Sequence, residues 1–231
     1  MRNAVMKIRV NLISALCLAA GFASSVAVAK PDAAPPAREA IEWCDIWISH
    51  ANETNLPRVL LIGDSIARDY YPEVEKRLAG KAFVARLTTS RFVADPVLLK
   101  EIELVLDGTK FDIIQFNNGM HGWNYSEAEY RRAFPAFLAS VRELDPEAWL
   151  VWASTTPVKV DAPQSATNDR VNARNAIALS FVNAAEIPVD DQHALMMQHK
   201  DDFQDTVHFN DDGSRIQGKQ AAECIRKLMH R

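Results

Sequence analysis

Short apolar runs alternate with longer amphipathic segments along most of the chain, beginning at residue 58. Short runs without polar residues are typical of strands buried on both faces of a parallel sheet, and the intervening segments have the spacing of helices that cover those faces. The pattern therefore predicts one α/β domain. The predicted strands cover residues 58–62, 82–87, 111–116, 150–153 and 187–189.

Helices are predicted between these strands and at both ends of the domain. Ser126 followed three residues later by Glu129 is a capping-box pattern, which indicates where the longest helix begins. A short amphipathic helix is also expected over residues 41–49. The other predicted helices cover residues 71–78, 95–106, 126–144, 168–185 and 214–229.

The first 29 residues have the pattern of a secretory signal peptide. A basic start is followed by a short apolar run over residues 12–20 and by small residues at Ala27 and Ala29. We expect an exported protein, periplasmic or secreted, with no stable membrane association. Residues 30–57 then form a lead-in, proline-rich at its start, that includes the predicted short helix, and residues 58–231 form the α/β domain.

The charge of the chain argues against a nucleic-acid partner. Without the predicted signal peptide, 23 basic and 30 acidic side chains remain, a formal charge of −7. No basic stripe of the kind that binds nucleic acid is visible in the sequence.

Two cysteines remain after the predicted signal peptide, Cys44 and Cys224. Disulfides persist in the oxidising compartments that exported proteins reach, so a Cys44–Cys224 disulfide joining the two ends of the domain is one hypothesis. The alternative is a pair of buried thiols, since free cysteine packs as a small apolar residue.

Polar residues that could carry chemistry follow each predicted strand. Ser65 follows the first strand, residues 88–91 the second, residues 117–123 the third and residues 154–157 the fourth, while Asp205 and His208 precede the last helix. Sites in parallel α/β sheets form outside the carboxyl ends of the strands. The sequence therefore places all of these groups on one rim of the sheet.

Three of these residues have the chemistry of a catalytic triad. A serine hydroxyl needs a neighbouring imidazole to remove its proton, and the imidazole needs an acid to fix its tautomer. Ser65, His208 and Asp205 could supply these groups. The alternatives are a helix cap at Ser65 and a surface ion pair at Asp205 and His208. His193 follows Asp190 at the same spacing and is a competing pair.

The segment after the third predicted strand is rich in hydrogen-bond donors and glycine, which favours an oxyanion-binding role. The alternative is a glycine turn whose asparagines satisfy the local backbone. Trp123 and Tyr125 lie beside this segment and could stack on a sugar or pack under a loop. No His-x-x-x-His or Cys-x-x-Cys pair occurs, so we expect no metal.

From about residue 58 to the end, the chain resembles the SGNH, or GDSL-type, hydrolase superfamily. Gly63-Asp64-Ser65 is similar to the block that carries the nucleophile, and Asp205-x-x-His208 to the block that carries the acid and the base. The resemblance implies a flavodoxin-like three-layer α/β/α sandwich with a five-stranded parallel sheet in the order 2-1-3-4-5. It also implies esterase activity without a cofactor.

The middle blocks depart from the family pattern. Where the family has a glycine after its second strand, this chain has residues 88–91, and the backbone of Ser90 is the candidate oxyanion donor. Where the family has Gly-x-Asn, this chain has Gly119-Met120-His121. His121 would donate only in the correct tautomer or when charged, and Asn117 could donate instead.

These expectations combine into a serine esterase that acts on a small-molecule or carbohydrate ester, with an O-acetyl group on a carbohydrate favoured. Two alternatives share the fold. One is an O-acyltransferase that uses the same triad, and the other is a glycan-binding protein that has lost catalysis.

Overall fold

The computed structural model describes residues 36–230, so the predicted signal peptide and the first residues of the lead-in lie outside the described residues. Six strands and six α-helices alternate along most of this range. The strands are β1 (Cys44–Ile48), β2 (Arg58–Gly63), β3 (Phe83–Thr89), β4 (Ile113–Phe116), β5 (Trp149–Ala153) and β6 (Val189–Asp190). The helices are α1 (Ser65–Leu78), α2 (Pro96–Gly108), α3 (Glu127–Leu144), α4 (Asn168–Ala184), α5 (Gln192–Met196) and α6 (Asp211–Leu228).

The strands form one mixed sheet in the order β1-β3-β2-β4-β5-β6. The five strands from β3 to β6 pair in parallel, and their order is the predicted one. The sixth strand, β1, pairs antiparallel with β3 at the edge. The predicted α/β class is confirmed, but the sheet is neither five-stranded nor wholly parallel.

The predicted helix over residues 41–49 is wrong, because this segment contains β1. Ile46 and Ile48 pack against the core, whereas Trp47 between them is 53% exposed. This alternation has the period of a strand, whose successive side chains point to opposite faces. Side chains on the exposed face also pair between the two strands, since the guanidinium of Arg86 in β3 donates to the Asp45 carboxylate at 2.7 Å.

Alternate side chains of the central strand β2 enter two separate cores. Leu60 and Ile62 join a core that also contains residues of α2, α3 and α4, whereas Val59 and Leu61 join a core with residues of α1 and α6. The sheet therefore has a helical layer on each face, as short and uniformly apolar strands predict. The capping box at the start of α3 is also formed as predicted.

The hypothesis of a Cys44–Cys224 disulfide is wrong in this structure, where both thiols are free. Cys44 lies on β1 at one edge of the sheet, while Cys224 lies on α6, close enough to Asp190 of β6 at the other edge for that carboxylate to act on its thiol. Cys44 is exposed and Cys224 half-buried, so the alternative of two buried thiols is not met either. Partial desolvation is the main cause that raises the pKa of Cys44 to about 11 and that of Cys224 to about 12. Both thiols are therefore protonated at neutral pH.

A buried arginine holds the loop that leaves β4. Arg174 on α4 is fully buried, and its guanidinium donates to the backbone carbonyls of Gly119, His121 and Gly122 at 3.0, 2.6 and 2.9 Å. Burial lowers its pKa to about 10, so it still carries a charge at neutral pH. The guanidinium thus fixes the path of residues 119–122.

Gly122 adds a second constraint on the same loop. Its φ is +70°, in the left-handed region that favours glycine, and a Cβ there would lie 2.3 Å from the ring of Phe92. The guanidinium of Arg174 in turn lies over the Phe92 ring, 5.1 Å from its centroid. Phe92 and Arg174 therefore pack against the loop after β4 and hold it in place at the sheet edge.

We predict that Arg174→Met destabilises the protein strongly. The substitution leaves buried carbonyls without donors, and each such group costs about 1–3 kcal/mol. Urea unfolding should show a lower midpoint with a similar slope. Arg142→Met is a matched control, because the exposed Arg142 guanidinium donates to the Ala185 carbonyl and its loss should change the midpoint little. Equal midpoints for Arg174→Met and the wild type would contradict this account.

Candidate active site

The structure brings Ser65, His208 and Asp205 together in a chain of hydrogen bonds. The Ser65 Oγ lies 2.8 Å from the Nε2 of His208. The Nδ1 of the same ring lies 2.8 Å from the Oδ2 of Asp205. A hydroxyl, an imidazole and a carboxylate in this order can activate the hydroxyl as a nucleophile.

Ser65 is placed at the sheet edge by a tight strand-to-helix turn. Gly63 ends β2, Asp64 caps α1 by accepting from the Ile66 N–H at 3.0 Å, and Ser65 is the first residue of the helix. A Cβ at Gly63 would lie 2.5 Å from the Cβ of Ala67, so a side chain there would push the helix away. The N–H of Ser65 has no acceptor within the helix, because the first turn of an α-helix lacks one.

The loop before α6 orients His208. The Oδ1 of Asp205 accepts from the backbone N–H groups of Val207 and His208, both at 2.8 Å, while its Oδ2 faces the imidazole. Burial acts to raise the pKa of Asp205, but these hydrogen bonds outweigh it and hold the pKa at about 2. Asp205 is therefore ionised wherever the protein is expected to work, and it can stabilise a protonated His208.

The predicted backbone donor at Ser90 is not available in this structure. Its N–H donates to the Trp43 carbonyl at 3.1 Å, because the segment before β1 continues the pairing with the end of β3. Its hydroxyl donates to Glu42 at 2.7 Å. Ser90 is thus part of the attachment of the N-terminal segment, which sequence reasoning placed in a helix.

The side chain of Asn117 is also not free to donate to an oxyanion. Its side-chain amide donates to the Ala153 carbonyl at 2.7 Å and to the Thr155 hydroxyl at 3.0 Å. These two bonds use both amide hydrogens and join the ends of β4 and β5. The asparagine therefore has the structural role that was the alternative for this segment.

His121 is the predicted oxyanion donor that shares a cleft with the triad. The cleft has a volume of about 350 Å³, and Ser65, His121 and His208 all line it. The Nδ1 of His121 lies 3.1 Å from both carboxylate oxygens of Glu39. Burial acts to lower the pKa of His121, but the hydrogen bond and charge of Glu39 outweigh it, and the net shift is upward.

Sequence reasoning missed Glu39. It lies in the lead-in, between the proline-rich start and the helix predicted over residues 41–49, where no site residue was predicted. In the structure its carboxylate accepts from the Gly122 N–H at 3.1 Å as well as facing His121. No local motif marks these contacts, because Glu39 lies 82 positions from His121 and 83 positions from Gly122 along the chain.

The two candidate sugar-stacking aromatics have different settings. Trp123 lines the cleft, and the guanidinium of Arg174 lies 4.0 Å from its ring centroid. Tyr125 instead stacks on Phe92 with the ring centroids 4.4 Å apart. Trp123 therefore remains a candidate for ligand contact, whereas Tyr125 packs under the loop.

The competing His193–Asp190 pair does not form. Asp190 is fully buried and accepts from the side-chain amides of Gln115, Gln192 and Gln220 at 2.6, 2.8 and 2.7 Å. The backbone N–H of His193 donates to the Ser154 hydroxyl. The same three-residue spacing thus gives an acid–imidazole contact on the loop before α6 but not at the end of β6, where the carboxylate belongs to a buried amide network.

No protein-family model matches the chain, and the comparison with curated proteins finds no match. Solved structures do match. A putative acylhydrolase from Bacteroides fragilis has a TM-score of 0.63 at 13% identity, covering 77% of this chain and 90% of its own. A carbohydrate esterase family 3 protein from Talaromyces cellulolyticus has a TM-score of 0.60 at 18% identity, covering 76% of this chain and 99% of its own.

An acetyl xylan esterase matches with a TM-score of 0.58 at 13% identity, covering 73% of this chain and 99% of its own. GDSL-like lipases are among the other matching structures. Identities this low establish a shared fold, and the fold agrees with the resemblance carried by Gly63-Asp64-Ser65 and Asp205-x-x-His208. The chain therefore has the α/β fold of the SGNH/GDSL-type hydrolases.

Proposed function

We propose that this protein is a serine esterase in which Ser65 is the nucleophile, His208 the general base and Asp205 the orienting acid. The observation that carries the proposal is the unbroken pair of 2.8 Å contacts from the Ser65 hydroxyl through the imidazole to the Asp205 carboxylate. The fold, shared with acylhydrolases and esterases, supports it.

The proposed reaction has two steps. His208 takes the proton of Ser65 through Nε2 as Oγ attacks the ester carbonyl, and Asp205 stabilises the resulting imidazolium through Nδ1. The N–H of Ser65 and a donor from the loop after β4 hold the oxyanion. His208 then gives its proton to the leaving alcohol, and in the second step it activates the water that releases the acid.

The proposed substrate is an ester, with an O-acetyl group on a carbohydrate favoured. A tryptophan ring and polar side chains line the cleft beside Ser65, and such a surface suits a sugar better than a long acyl chain. Gln164 and Ser165 supply hydrogen-bonding groups on the same cleft. The matching acetyl xylan esterase and carbohydrate esterase support the same choice.

Export belongs to the proposal as well. It rests on the basic, apolar and small-residue order of the first 29 residues. No helix within residues 36–230 is long and apolar enough to cross a membrane. An exported esterase would meet polysaccharides, which agrees with the proposed substrate.

Ser65→Ala tests the nucleophile. We expect turnover of p-nitrophenyl acetate to fall by at least a thousandfold, because the remaining groups can stabilise an oxyanion but cannot form an acyl-enzyme. Steady-state kinetics measures the loss, and circular dichroism confirms folding. Ser180→Ala is the matched control, since the Ser180 hydroxyl bonds only locally to the Ile177 carbonyl on α4. Wild-type turnover by Ser65→Ala would contradict the proposal.

Trp123→Ala tests the carbohydrate preference. Loss of a stacking surface should raise KM for an acetylated xylo-oligosaccharide about tenfold, because one aromatic contact contributes about 0.5–1.5 kcal/mol beyond its area. The kcat/KM for p-nitrophenyl acetate should change less than threefold. Trp149→Ala is the control, since Trp149 is 50% exposed at the start of β5, the end remote from the cleft. Equal effects on the two substrates would exclude a sugar-specific role for Trp123.

A further inference from the structure

We propose that Glu39 keeps His121 in its doubly protonated form, so that the imidazolium donates its Nε2–H to the oxyanion that forms at Ser65. Glu39 is then a positioning residue and His121 a catalytic one. The inference rests on the proposed esterase function and names the second oxyanion donor of that site.

Two carboxylate–imidazole pairs line the same cleft. In one pair, Asp205 faces the Nδ1 of His208, whose Nε2 accepts from Ser65. In the other pair, Glu39 faces the Nδ1 of His121. The base must present a bare Nε2, whereas an oxyanion needs a donor. The two rings, alike in their carboxylate partners, must therefore differ in protonation for the reaction to proceed.

Glu39 decides what the Nε2 of His121 can do. Because the carboxylate can only accept, it fixes a hydrogen on Nδ1. In a neutral ring the Nε2 would then carry a lone pair, which would repel an oxyanion. Only the charged ring has a hydrogen on both nitrogens, so donation by His121 requires the imidazolium.

The charges around His121 favour that form. Glu39 and Glu42 approach from the N-terminal segment, and Asp64 approaches from the turn before α1. Arg174 lies on the opposing side, where it donates to the His121 carbonyl, and His208 lies across the cleft. Burial opposes the charged ring, yet the carboxylates outweigh burial and the pKa of His121 is raised.

The N-terminal segment explains why a charged donor is needed. By pairing with the end of β3 it occupies the N–H of Ser90, and the amide of Asn117 is used between β4 and β5. Neither of these neutral donors is therefore free for the oxyanion, although the N-terminal segment occupies only the first. The same segment delivers Glu39 to the cleft, so the contact that removes one donor also supplies the carboxylate that charges another.

The first test is Glu39→Gln, assayed with p-nitrophenyl acetate across pH. We expect kcat to fall about tenfold to a hundredfold with little change in KM, since a donor to the transition state alone is weakened. A protonated donor is lost as pH rises through its pKa. Removing the carboxylate lowers the pKa of His121, so the alkaline limb of kcat/KM should move to lower pH. Asp45→Asn is the control. It removes another carboxylate of the N-terminal segment, but one that pairs with Arg86 rather than with His121, so the pH profile should stay unchanged.

The second test is a double-mutant cycle with His121→Asn. An amide donates without a proton to lose, so His121→Asn should retain turnover within about tenfold of the wild type, and its profile should lack the His121 limb. Glu39→Gln should then cost less than twofold in that background. His121→Ala should lose about a hundredfold to a thousandfold.

A readout independent of turnover separates this inference from the esterase proposal. NMR titration of the His121 ring in the Ser65→Ala protein should show a lower pKa after Glu39→Gln. An unchanged kcat and pH profile for Glu39→Gln, or an equal loss in the His121→Asn background, would overturn the role of Glu39. If Ser65→Ala is inactive in that case, the triad stands and only this inference fails.

Discussion

The hydrogen bond between Ser65 and His208 is the contact on which the rest of the site depends. It joins two residues 143 positions apart, and each partner is placed by a different element. Ser65 opens α1 at the carboxyl end of β2, and His208 lies on the loop that leads into α6. Helices α1 and α6 pack together over one face of the sheet through a shared apolar core, which holds the two segments in register. The core thereby fixes the distance that the proposed chemistry requires.

A second set of contacts surrounds this pair and is polar. Arg174 holds the loop after β4 from beneath, and Glu39 holds it from the cleft side. Buried charged hydrogen bonds of this kind contribute little net stability compared with apolar packing, but they define one conformation because each broken bond leaves an unpaired group. The loop carries His121 and Trp123, the two cleft residues that we propose contact the oxyanion and the sugar. Its rigidity therefore preorganises the proposed site.

Elements with strong local signals were predictable from the sequence. The apolar runs gave the parallel strands, Ser126 and Glu129 gave the start of α3, and the Gly63 turn placed Ser65 at the sheet edge. The same rule, that parallel strands end on one edge, brought Asp205 and His208 to Ser65. These features depend on short-range periodicity and on topology, which a single sequence contains.

What escaped prediction depends on long-range pairing. Five residues of β1 are too few to distinguish a strand from a helix by spacing, and the positions of β3 with which they pair lie 37 to 45 residues away along the chain. Once that pairing was missed, the engagement of Ser90 and the position of Glu39 could not follow. Arg174 was missed for a related reason, since an arginine on a helix is usually exposed and only the fold shows that it is buried beneath a loop.

The most direct measurement of the central claim is fluorophosphonate labelling followed by peptide mass spectrometry. The account predicts one adduct on the Ser65 peptide, formed much more slowly when His208 is replaced by alanine, because the ring that removes the hydroxyl proton is gone. A protein that stays unlabelled, or that is labelled at a serine outside the cleft while Ser65 remains free, would contradict it.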